Sequence, residues 1–160
     1  MKKLLGTAVL STALLAGFAP ITPASASEIE STSVNSEGTE VVTVNSSISD
    51  GTMTAYGKKT EVGTATLTGA NPLGFKPYVY AITESVGGKI VYEISAQAQS
   101  NNDGNGITKS NKASQRDTSK AKTNKLTSST ERTTFTGTHT LKKTKSSTTV
   151  KKTTTLSKWK

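Results

Sequence analysis

Residues 77–99, PYVYAITESVGGKIVYEISAQAQ, decide the fold. Residues 78–83 and 89–96 are rich in Val, Ile, Tyr and Thr, the residue types favoured on a pleated, half-buried strand. Gly87-Gly88 lies between them, and two glycines tolerate the positive φ of a two-residue type I′ turn. A hairpin closed there pairs Val86 with Lys89. It then sets Tyr92 opposite Thr83, Ile94 opposite Ala81 and Ala96 opposite Val79. In that register Ile90, Tyr92, Ile94, Ala96 and Ala98 share a core face with Val79 and Ala81, while Tyr80 and Ile82 point the other way.

The stretches on either side read the same way. Residues 39–44, 52–56 and 61–68 are short strands, separated by residues 45–50 and by a turn near Gly57-Lys58. Residues 70–77, with Asn71-Pro72 and Gly74, form the loop into the hairpin. Residues 101–106 are a further loop, and 107–128 read as two edge strands. Thr133 to Lys142 alternates, with Phe135, Gly137, His139 and Leu141 on one face and threonines with Lys142 on the other. Residues 148–159 return antiparallel after a loop at 143–147. No helical periodicity persists after residue 26. The expectation is an all-β chain: a single antiparallel β-sandwich-like domain over 39–160, preferred to a barrel. The Ser- and Glu-rich residues 27–38 are expected to be disordered.

The N-terminus reads as an export signal. Lys2 and Lys3 precede an apolar run at residues 4–18, and Pro20 and Pro23 break it ahead of Ala24-Ser25-Ala26, an A-x-A cleavage site. At about fifteen residues the run is shorter than the roughly twenty that span a bilayer. Residues 1–26 are therefore expected to be removed, giving a secreted, extracellular protein that starts at Ser27. There is no twin-arginine pair and no cysteine, so neither a disulfide nor a lipidated cysteine is available. The C-terminus shows no sorting signal or hydrophobic tail.

Charge is segregated. Residues 27–100 carry four lysines against eight acids, net −4, whereas 101–160 carry fourteen basic residues against three acids, net +11. The candidate polyanion-binding residues are Lys120, Lys122, Lys125, Lys142, Lys143, Lys145, Lys151, Lys152 and Lys158. Trp159 is a candidate membrane anchor, weighed against docking on the core. Only Arg116 and Arg132 are arginine, and aromatics are few. Diffuse attraction to an anionic cell-wall polymer or membrane surface is expected rather than specific nucleic-acid reading. Lysine on strands also keeps sheet edges soluble.

Catalytic and metal chemistry find little support. His139 is the only histidine, its triad partners would be a distant Asp50, Asp103 or Asp117, and no nucleophile elbow is present. Asn101, Asp103, Asn105 and Gly106 match the first, third, fifth and sixth positions of a calcium loop, but Lys109 and Lys112 stand at the ninth and twelfth. No cofactor is expected. The threonine alternation lacks the fixed period of an ice-binding array, and residues 133–158 offer few lipid-facing side chains for a pore. A small, cysteine-free, basic, exported β-domain is similar in style to several groups of secreted bacterial proteins, some bacteriocins among them; the resemblance transfers no residue roles. The expected function is non-enzymatic binding of envelope polyanions, with antimicrobial action one purpose. The alternative is a self-associating extracellular matrix protein built by contact between acidic and basic halves.

Overall fold

The computed structural model describes residues 28–34, 39–72, 75–101, 108–128 and 134–157. The residues read as an export signal, residues 102–106 of the stretch read as a loop, Lys158 and Trp159 lie outside them. The described chain is all-β. Its strands are β1 (Ile29–Val34), β2 (Glu40–Met53), β3 (Lys59–Asn71), β4 (Tyr78–Ser85), β5 (Val91–Asn101), β6 (Lys109–Thr118), β7 (Lys120–Lys122), β8 (Leu126–Thr127), β9 (Thr134–Lys142) and β10 (Val150–Leu156). They form two antiparallel sheets. The first runs β1-β2-β3-β4-β7, with β8 also pairing β4, and the second runs β10-β9-β5-β6.

The turn at Gly87-Gly88 forms, but the hairpin does not. Both glycines have positive φ, 63° and 66°, and the Lys89 amide donates to the Val86 carbonyl at 3.4 Å. The strands it joins then part, β4 into the first sheet and β5 into the second. Neither has a backbone edge left for the other. β4 is flanked by β3 on one side and β7 with β8 on the other, while β5 lies between β6 and β9. The pairings of Ile94 with Ala81, Ala96 with Val79 and Tyr92 with Thr83 are therefore replaced by contact across the layers. The face assignment survives for Val79, Ala81, Ile94, Ala96 and Ala98, all fully buried, in one cluster with Val42, Val44, Leu67, Phe135 and Leu141. It fails for Ile90, which is 73% exposed, and for Tyr92, which is half-buried. Val91 and Ile94 are both buried, so the alternation slips between them. The slip lies beside Asp117 of β6, whose φ is 52°.

Residues 39–56 also differ from expectation. Instead of two strands separated at 45–50, β2 runs unbroken from Glu40 to Met53. Its polar centre keeps the two-residue period, with Ser46 and Ile48 inward and Asn45 and Ser47 outward. Ser46 is small enough to sit inside, opposite Ala65, though its hydroxyl finds no partner among the described residues. The register shifts only after Ile48, near Gly51 at φ 80°. Ile29–Val34, within the stretch expected to be disordered, pairs with β2 as a fully exposed edge strand. Residues 107–128 supply three strands rather than two, divided between the sheets.

Candidate anion-binding surface

Apart from β9, the strands of the basic half of the chain lie at sheet edges. β6 is the outer strand of the second sheet, β7 and β8 close the first sheet along β4, and the Asn111 side-chain amide donates to the Lys125 carbonyl at 3.0 Å. Residues 108–128 thus run along a seam where the two sheet edges meet. They carry Lys109, Lys112, Arg116, Lys120, Lys122 and Lys125 against a single acid, Asp117. Alternation directs the lysines of β7: Ala121 is buried opposite Thr83, so Lys120 and Lys122 face outward. The strand then continues through Thr123, which exchanges hydrogen bonds with the backbone of Ala81, to the buried Leu126.

Beside this seam lie two tyrosine rings. Tyr78 and Tyr80 occupy alternate positions on the outer face of β4, their centroids 6.5 Å apart and their planes 26° from parallel. The Lys125 ammonium stands 3.7 Å from the Tyr78 centroid, and that of Lys122 4.5 Å from the Tyr80 centroid. An ammonium over a ring face is drawn by the ring's quadrupole, worth about 0.5–1 kcal/mol at an exposed site. Lys120 differs, because it forms an ion pair with Glu84 at 2.5 Å. Neither Lys122 nor Lys125 has a carboxylate within ion-pair distance among the described residues.

Tyr92 repeats the motif on the second sheet. The Arg116 guanidinium lies 5.5 Å and the Lys142 ammonium 5.7 Å from its centroid. Glu93 is in register with both cations and so brings an acid between them. The remaining outer face is polar, with cross-strand rows such as Thr153, Thr138, Gln97, Lys112 and Lys151, Thr140, Ser95, Ser114.

The candidate lysines do not gather in one place. Lys120, Lys122 and Lys125 share the seam, and Lys142 reaches toward it through Tyr92 and Arg116. Lys143 instead pairs with Asp50 at 2.6 Å; this hydrogen bond, helped by the Thr52 amide, lowers the Asp50 pKa to about 2. Lys145 is exposed between β9 and β10. Lys151 and Lys152 belong to β10, at the edge of the second sheet opposite β6, and Lys152 is half-buried in register with His139. Lys158 and Trp159 fall outside the described residues. Tyr78, Tyr80, Tyr92, Lys109, Lys112 and Arg116 join the surface although the sequence reading did not count them among the binding residues and placed Tyr92 on the core face. Their placement depends on which strands pair, which the sequence pattern left open.

His139 is fully buried. Its Nδ1 and Nε2 lie 3.0 Å from the Thr83 and Thr154 hydroxyls, respectively. The Thr83 hydroxyl donates its proton to the Ser95 carbonyl at 2.7 Å, so Nδ1–H is the donor to Thr83 and Nε2 accepts from Thr154. Burial lowers the His139 pKa to about 4. Among the described residues no three His, Cys, Asp or Glu side chains come together to hold a metal ion, and no helix is long and apolar enough to cross a membrane. No family model matches the sequence, and no curated protein and no solved structure matches it either.

Proposed function

We propose that this chain is an exported, non-enzymatic β-sandwich domain that binds anionic polymers of the cell envelope, or anionic membrane surfaces, through its basic C-terminal half. The observation that carries this reading is the seam of residues 108–128, where six cations meet one acid along adjoining sheet edges. Such an excess attracts a polyanion over about a Debye length, ~10 Å at 0.1 M salt. Export rests on the signal-like residues 1–26, and the sandwich on two separately hydrogen-bonded sheets sharing one apolar cluster. The test is co-sedimentation of the purified protein with bacterial cell walls and with anionic liposomes across a salt series. Binding that falls steeply with salt, and that is lost when Lys112, Arg116, Lys122 and Lys125 become Gln, supports the reading. Absence of binding at low salt overturns it.

A second reading, self-association, draws on β1. This strand leaves a fully exposed edge that carries Glu30 and no lysine, while β6, β7 and β10 all bear basic residues. An uncharged or acidic edge is open to pairing, and β6 of another copy offers the complementary charge. Light scattering that rises with concentration and reverses with salt supports this reading; a strictly monomeric protein opposes it.

A further inference from the structure

We propose that the outer face of β4 is a saccharide subsite, which seats a pyranose ring of an acidic glycan on Tyr78 and Tyr80 and its acid group on Lys122 and Lys125. This rests on the polyanion reading above and narrows its ligand to a polymer with a sugar ring in its repeat.

Three observations converge on it. The two rings lie on one face of one strand, 6.5 Å apart and 26° from parallel, so their faces are presented side by side along β4 within the span of one or two sugar units. Flat aromatic faces suit the apolar C–H faces of a sugar ring, while polar groups placed around them fix its orientation. Those polar groups are present in register. Thr43 and Thr68 share a row with Tyr80, their hydroxyls 3.4 Å apart. Asn45 and Thr66 occupy the next row, joined at 2.8 Å, and Thr127 pairs with Tyr78. Among the described residues, finally, the cations are held by the rings and not by acids. An incoming carboxylate or phosphate therefore recruits Lys122 and Lys125 without breaking an ion pair, and as each ammonium swings to the anion it uncovers the ring face beneath.

Charge attraction alone accounts for the lysines but not for paired rings flanked by hydroxyl and amide groups. Tyr92 is the weaker candidate for the same role, because Glu93 lies between its two cations.

The experiment compares three probes by fluorescence anisotropy over a salt series: a polygalacturonate oligomer, a polyglutamate of equal charge number and an oligothymidylate. Tyr78→Leu/Tyr80→Leu keeps apolar bulk but removes the rings. It is expected to weaken polygalacturonate binding about tenfold. The slope of log K against log salt should stay the same, because no charge is lost, and polyglutamate binding should not change. Lys122→Gln/Lys125→Gln should weaken both probes and flatten the slope. Circular dichroism and a thermal melt check each fold. Independently of any variant, polygalacturonate should show intermolecular NOEs from its sugar-ring protons to the ring protons of Tyr78 and Tyr80, whereas polyglutamate should show no contact of its own protons with those rings. Equal, ring-independent binding of the two acidic polymers overturns the saccharide subsite and leaves the polyanion reading standing. Ring-dependent preference for oligothymidylate overturns it in favour of single-stranded nucleic acid. Failure of all three probes to bind overturns both.

Discussion

His139 of β9 reaches across the molecule to Thr83 of β4, Nδ1 to Oγ1 at 3.0 Å, and so ties the second sheet to the first through a hydrogen bond at full burial. The neutral ring, with its proton on Nδ1, satisfies this arrangement without the Thr154 hydroxyl having to turn. Protonated, Nε2 would turn from acceptor to donor in a site that disfavours charge.

The fold is accordingly expected to weaken in mild acid. The His139 pKa is about 4 in the folded chain, against 6.5 for an unperturbed histidine. Between these values the unfolded chain binds more protons, so stability is full above pH 6.5 and falls as pH drops toward 4. The whole effect is about 3 kcal/mol. Urea midpoints at pH 7.5 and 4.5 measure it, with a His139→Gln variant expected to flatten the dependence between those pH values. A midpoint equally steep in the variant would assign the acid sensitivity to other groups.

Gly137 is expected not to tolerate a methyl group. A Cβ there would collide with the Thr154 hydroxyl and stand 2.6 Å from His139 Nε2, inside contact distance of two groups that already hold one another. Gly137→Ala should lower stability by about 1–3 kcal/mol through overpacking, read as a reduced urea midpoint. A wild-type midpoint would show that the polar trio rearranges freely.

Ser46→Ala should run the other way. The Ser46 hydroxyl is buried without a partner among the described residues, so removing it relieves a desolvated polar group. Stability is expected to hold or to rise by up to about 1 kcal/mol, and a drop in thermal midpoint would reveal a hydrogen bond that the hydroxyl makes.

Asp50 should titrate near pH 2 by NMR, because Lys143 holds its carboxylate form. Lys143→Gln removes the principal cause, and the midpoint should climb back toward 3.8. The linked contribution to stability is present above pH 3.8 and fades as pH falls through about 2. An unmoved midpoint in the variant would leave the Thr52 amide as the cause.

Periodicity in the sequence revealed what faces inward but not which strand lies beside which. Phe135, His139 and Leu141 are buried as the alternation at 133–142 requires, and Val79, Ala81, Ile94, Ala96 and Ala98 are buried too. A two-residue period reads the same whether two strands sit side by side or face each other across a core, because both put the same side chains inside. The two glycines at 87–88 fit either arrangement. What separates them is whether β7 and β8, some thirty-five residues further on, occupy the edge of β4, and no local pattern announces that. The candidate surface shared this limit. The lysines of 120–125 were visible as a charge run, but their ring partners Tyr78 and Tyr80 became neighbours only through the same long-range pairing.

That pairing makes the two sheets interleave along the chain: β4 is completed by β7 and β8, which come after β5 and β6 have joined the other sheet. No contiguous piece of sequence contains one finished sheet and nothing of the other. A chain emerging from its N-terminus leaves the far edge of β4 bare until residue 127 has appeared, and β5 lacks β9 until residue 142. Closure is therefore a late, all-together event governed by contacts distant in sequence, which slows folding and leaves strand edges open to wrong partners in the meantime. Cutting the chain after β6 would not yield half a molecule; it would leave both sheets unfinished at once.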